Sequence, residues 1–88
     1  MPTILLVRGW RLFFYMNEGN EPLHIHARKA ESECKFWLRP GTYEIEEAWS
    51  YNLGPVLRRE VRKIIFDHFE LICEEWRRVF GGTGREGN

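Results

Sequence analysis

Two histidines stand two residues apart, His24 and His26, directly after a polar, turn-rich stretch, Asn17-Glu18-Gly19-Asn20-Glu21-Pro22. Imidazoles titrate near working pH, so a pair can serve as general base and general acid. After Pro22 the chain alternates: Leu23, Ile25 and Ala27 against His24, His26 and Arg28. That alternation predicts a strand, in which residues i and i+2 share a face roughly 7 Å apart. Both rings then project together, away from the side that Ile25 buries.

Three chemistries suit such a pair. In RNA cleavage, His24 and His26 would exchange the protons, with Lys35 or Arg28 stabilising a pentacoordinate phosphate. Trp37, with Tyr15 or Phe13, would stack a base. As a metal site, His24 and His26 would chelate Zn²⁺ or a similar divalent ion, with a third ligand from Glu18, Glu21 or a partner chain. No other cofactor is expected. Alternatively the histidines are structural and hydrogen-bond the preceding loop to fix its turn. That loop, through Asn17, Glu18, Asn20 and Glu21, could contact a substrate or partner together with Arg28 and Trp37, because loops carry function. Its Asn and Glu side chains could equally cap their own backbone.

The elements that must position these groups follow from pattern. Thr3–Val7 and Trp10–Met16 read as strands joined by Arg8-Gly9, with Val7 facing Trp10, Leu5 facing Leu12 and Ile4 facing Phe13. His24–Lys29 and Ser32–Leu38 form a second hairpin across Ala30-Glu31. Matching the buried set Cys34, Phe36 and Leu38 to Ile25 and Ala27 sets its register. His26 then opposes Lys35, His24 opposes Trp37, and Arg28 opposes Glu33. Tyr43–Trp49 is a short fifth strand.

Gly54-Pro55 opens a helix, with Pro at its first position. Leu57, Val61, Ile64, Ile65, Ile72, Trp76 and Val79 recur at helical spacing up to Phe80, with a bend near Asp67-His68. The broad apolar arc should lie across the sheet. His68 falls on it and is expected as a buried, hydrogen-bonded core histidine. Glu75, on the same arc, should satisfy His68 or an arginine. Arg58, Arg59, Arg62 and Lys63 gather on the opposite side, where they could contact phosphate but are expected as a solvated face. Gly81-Gly82 ends the helix. The expected architecture is α+β: an antiparallel sheet of four to five strands, built from hairpins and packed on one face by a long C-terminal helix. Residues 1–80 make one domain and 81–88 a disordered tail.

Composition narrows the function. The chain has 88 residues, of which 43% are hydrophobic and 15% aromatic, ample for one core. Four Trp and six Phe cannot all be buried cheaply in so small a chain, so aromatic surface should remain for a partner. Lys+Arg and Asp+Glu both number 13, which predicts no strong phosphate-attracting field. Cys34 and Cys73 lack metal-type spacing and read as reduced thiols of a cytoplasmic protein. Thr3–Val7 is too short for a membrane span.

Pro2-Thr3-Ile4, Gly9, the aromatic strand, Asn17-Glu18-Gly19-Asn20-Glu21-Pro22, His24-x-His26, Lys35-Phe36-Trp37-Leu38 and a terminal helix with Trp76 and Phe80 resemble domain of unknown function 4160. The resemblance covers roughly residues 2 to 80, departing at Leu23 and Cys34. Members are small prokaryotic proteins, often encoded beside another small domain in an arrangement like a toxin–antitoxin pair. The resemblance therefore implies a neighbouring-gene protein as partner, and carries no settled activity. The preferred expectation is a toxin–antitoxin-type component binding that protein, and RNA as a further ligand, through an open face around His24, His26, Lys35 and Trp37. The rival is a non-enzymatic interaction module, such as a homodimer, with those residues at its interface.

Overall fold

A computed structural model describes residues 3–81. Five strands form one antiparallel meander in sequence order: β1 Thr3–Val7, β2 Trp10–Phe13, β3 His24–Lys29, β4 Ser32–Arg39 and β5 Glu44–Tyr51. Helices α1, Pro55–Asp67, and α2, Phe69–Trp76, follow, and the described chain ends in a π-helical turn over Arg77–Gly81. The expected tail beyond Gly81 lies outside the described residues. Among those residues no helix is long and apolar enough to cross a membrane.

The hairpins form as turn chemistry and alternation demand. Arg8 and Gly9 both have positive φ, 52° and 83°, the primed-turn geometry that suits strand twist. Val7 pairs with Trp10 and Leu5 with Leu12 as expected, but Thr3, rather than Ile4, opposes Phe13. A bulge between Thr3 and Leu5 absorbs the extra residue. The β3–β4 register is the expected one, with His26 opposite Lys35, His24 opposite Trp37 and Arg28 opposite Glu33. The fifth strand runs to Tyr51, longer than the sequence suggests. A second irregularity there places Lys35 opposite Trp49 and Phe36 opposite Glu47, so Ala48 is the extra residue.

One sheet face carries Trp10, Leu12, Ile25, Ala27, Cys34, Phe36 and Leu38. It packs against Val61, Ile64 and Ile65 of α1 and Phe69, Ile72 and Cys73 of α2. Polar contacts tie α1 to β2 and β3 on one side and to the edge strand β5 on the other. Glu60 Oε1 accepts from Trp10 Nε1 and Lys29 Nζ at 3.1 and 3.2 Å. Arg58 Nε donates to Glu47 Oε1 of β5 at 2.8 Å. Arg58 is therefore a clamp, and Arg62 lies over the Phe36 ring at 5.7 Å. Only part of the expected basic face is simply solvated.

The long helix is broken at His68, whose φ of −115° and ψ of 25° leave the helical region. Its backbone N–H donates to Ile64 and Ile65 carbonyls, and its ring Nδ1 donates to Ile64 O at 2.9 Å. His68 is thus a half-buried residue capping α1, not a core histidine. Glu75 does pair with an arginine, Arg78. Both cysteines are free and buried, and burial pushes the Cys34 thiol up to about 12.

Candidate functional site: a shared carboxylate between two buried histidines

Alternation puts Phe13, His24, His26, Arg28, Glu33, Lys35 and Trp37 on the sheet face opposite the helices. Ring contacts bring Tyr15, Trp37 and Trp49 onto the same face. Tyr15 lies 4.6 Å and Trp49 6.0 Å from His26, and Trp37 lies 5.5 Å from His24. The His24 and His26 centroids are 5.2 Å apart, side by side as the strand requires.

The histidines are not open to solvent, however. His24 is 0% and His26 2% exposed. After β2 the chain turns back through a 3₁₀ turn, Met16–Glu18, held by Glu18 N donating to Tyr15 O at 3.3 Å. This turn aims Glu18 at β3, where Oε1 lies 2.7 Å from His24 Nε2 and 2.8 Å from His26 Nε2. The expected open face is therefore occupied at its centre by the protein's own loop. Phe13 completes the floor, stacked on His26 at 5.5 Å beneath the Arg11 guanidinium.

The helical layer also reaches this side. The Trp76 ring of α2 lies 5.2 Å from Phe14, a core residue, and 4.9 Å from His24. Phe80 packs 4.4 Å from Trp76, and a Cβ added at Gly19 would sit 2.6 Å from its ring. Gly19 has an ordinary φ of −67°, so it is required for space and not for backbone freedom. Gly19→Ala should cost about 1–3 kcal/mol through overpacking. A urea titration showing unchanged stability would mean that Phe80 does not seat on this loop.

Proton positions follow from donor chemistry. The Pro22 carbonyl can only accept, so His24 Nδ1, 2.9 Å away, carries a proton. His26 Nε2 donates to Glu18. Its Nδ1 is buried without a hydrogen bond among the described residues, so a second proton on the ring would have no acceptor there. Burial holds the His26 ring below its ordinary 6.5, against the opposing pull of Glu18. Burial would raise the Glu18 carboxyl, but hydrogen bonds from His26 and His24 outweigh it and hold the group below 4.5.

The remaining expected site residues are accounted for within the fold. Lys35 Nζ donates to Glu21 Oε1 at 2.8 Å and lies 4.5 Å above Trp37. Arg28 donates to Glu33 Oε1 at 3.0 Å and does not approach the histidines' ring nitrogens. Glu18 and Glu21 reach across to β3 and β4 and do not cap their own backbone. Asn17 and Asn20 are exposed and make no side-chain hydrogen bond among the described residues. Sequence reasoning missed Trp49 and Trp76. The bulge at Ala48 hides the face of Trp49, and only helix docking brings Trp76 to His24.

The structure defines a small α+β protein with a five-stranded meander, a helical layer on one face and a Glu18–His24–His26 cluster on the other. The family model for a domain of unknown function, DUF4160, matches residues 9–77, and the chain belongs to that family. Neither the curated proteins nor the solved structures contain a significant match to the chain.

Proposed function

We propose that the protein is a cytoplasmic, non-catalytic binding module of a toxin–antitoxin-like pair. Its docking surface for the neighbouring-gene protein is the sheet face that α1 and α2 leave uncovered. The observation that carries this reading is the aromatic edge of that face. Tyr51 is 68% and Trp49 43% exposed, two residues apart on β5. Large exposed aromatics are the residue types that act as interface anchors.

A protein partner is favoured over RNA by charge. Of the cations on this face, Arg28, Lys35 and Arg39 each pair with a carboxylate, of Glu33, Glu21 and Glu46 respectively, and Arg11 lies over the Phe13 ring and donates to Thr3 Oγ1. Little positive potential is left to attract phosphate. Cleavage is less favoured still, because a phosphate would have to displace Glu18 to reach either Nε2. Lys35 above Trp37 is a feature that suits a stacked base.

Co-expression with the neighbouring gene tests the proposal. A stable complex is expected by size-exclusion chromatography, weakened about thirtyfold or more by Trp49→Ala or Tyr51→Glu, as for an interface anchor. Inducible expression of each gene alone and of both together reports growth arrest and its rescue. No complex, with no growth effect of either gene, would remove this function. RNA bound by the isolated chain, and lost in Trp37→Ala, would replace the protein partner with RNA.

A further inference from the structure

We propose that Glu18, His24 and His26 form a binding site for one transition-metal cation of the Zn²⁺ class. Glu18 Oε1 and the two Nε2 atoms lie within 4.8 Å of one another. Metal–ligand bonds of about 2.0–2.2 Å would set the donors roughly 3.3 Å apart. Opening the carboxylate contacts from 2.7 and 2.8 Å by about half an ångström, with the two Nε2 atoms, no more than 4.8 Å apart, brought to the same separation, would meet that spacing.

The proton inventory supplies the argument for a cation. His24 Nδ1 is committed as a donor to Pro22 O, so Nε2, 2.7 Å from Glu18 Oε1, is left to meet that oxygen either through a proton, as an imidazolium, or through its lone pair. Two lone pairs at that distance repel unless a cation lies between them or accompanies one of them. A metal ion held between the three atoms would take the place of the proton on His24 Nε2, and the proton that His26 Nε2 gives to Glu18 would move to the unpaired Nδ1, which frees that Nε2 to ligate. A histidine ligating through one nitrogen while the other donates to a backbone carbonyl is the usual outer-shell arrangement of metal sites. His26 has no such support, which makes it the less firmly oriented ligand.

The surroundings agree. Glu18 is largely buried beside two aromatic nitrogen heterocycles, and the nearest cation of β4, Lys35, pairs with Glu21. Two imidazoles and one carboxylate select Zn²⁺, Co²⁺, Ni²⁺ or Fe²⁺ over Mg²⁺ and Ca²⁺. Three protein ligands leave a coordination position to be filled from outside the chain.

The test uses the tag-free protein, stripped with a chelator and confirmed folded by circular dichroism. Zn²⁺ is titrated against a chromophoric chelator, and Co²⁺ is followed by its visible d–d bands. One equivalent of each is expected to bind, with Mg²⁺ not competing. Glu18→Gln and His24→Asn should each weaken Zn²⁺ by about tenfold or more, about 1.4 kcal/mol at least. His68→Gln should bind as the parent does. Absence of saturable one-to-one binding by the folded parent would overturn the site, whatever the variants do. So would binding that Glu18→Gln leaves unchanged, or binding that His68→Gln abolishes.

Discussion

Trp76→Ala is expected to lower the stability of the protein by about 3–5 kcal/mol, the range for removing a buried aromatic ring. Small domains have only about 5–15 kcal/mol in total, so much of the population should unfold at moderate urea concentrations. The reason is the position of Trp76 between two layers. Its ring meets Phe14 in the core, His24 on the opposite face and Phe80 in the closing turn. Removing it opens a cavity that Ile72 and Cys73, fixed on the same helix, cannot fill. It also uncovers one side of the His24 ring. Trp76→Phe should recover more than half of the loss. Urea unfolding followed by circular dichroism measures both, and a loss below about 1 kcal/mol would mean that α2 does not hold the two layers together.

The second large effect is expected from Glu18→Ala, measured in chelator-containing buffer. Oε1 of Glu18 is the shared partner of both Nε2 atoms, and each ring is almost fully buried. A buried polar group left without its partner costs about 1–3 kcal/mol, so the variant should lose roughly 2–4 kcal/mol. The loop from Met16 to Glu21 should also loosen, because Glu18 is its main side-chain tether to β3. Hydrogen exchange at the Glu18 and Glu21 amides, which donate to Tyr15 and Glu18 carbonyls, would speed up. Glu18→Gln should lose less, since an amide oxygen in the place of Oε1 still accepts from His26 Nε2. Equal losses in Gln and Ala would show that charge, and not hydrogen-bond capacity, holds the cluster. No loss in either would leave the loop held by Phe80 against Gly19 and by Lys35 on Glu21.

These two variants separate the structural contribution of the cluster from the others argued above. The proposed interface depends on Trp49 and Tyr51, at the β5 edge. The proposed ion depends on Glu18 and His24. Loss of partner binding in Trp49→Ala with Zn²⁺ affinity retained would place the two properties at separate parts of one sheet face.

Much of the fold was legible because its contacts are local. The β3–β4 hairpin was readable residue by residue, since alternation admits one register that buries Cys34, Phe36 and Leu38 beside Ile25 and Ala27. The helix start at Pro55 and the break near His68 were legible for similar reasons of capping and spacing. The departures fall where one residue is inserted. Bulges near Ile4 and Ala48 shift the strand pairing, and no pattern of period two announces them. The central histidine pair was visible as types and spacing, with Glu18 as one of its candidate third ligands.

What the sequence determined by itself, then, was the hairpins, the helix boundaries, and the fact that His24 and His26 share a face with Lys35 and Trp37. Those follow from steric alternation and turn geometry over a few neighbouring residues. Only the tertiary structure decided that this face is closed at its centre, with Glu18 folded over both rings and Trp76 against one of them. That closure joins residues up to 52 positions apart, His24 to Trp76, through packing of whole elements. No local preference of the chain encodes how a loop and a distant helix meet across the same strand.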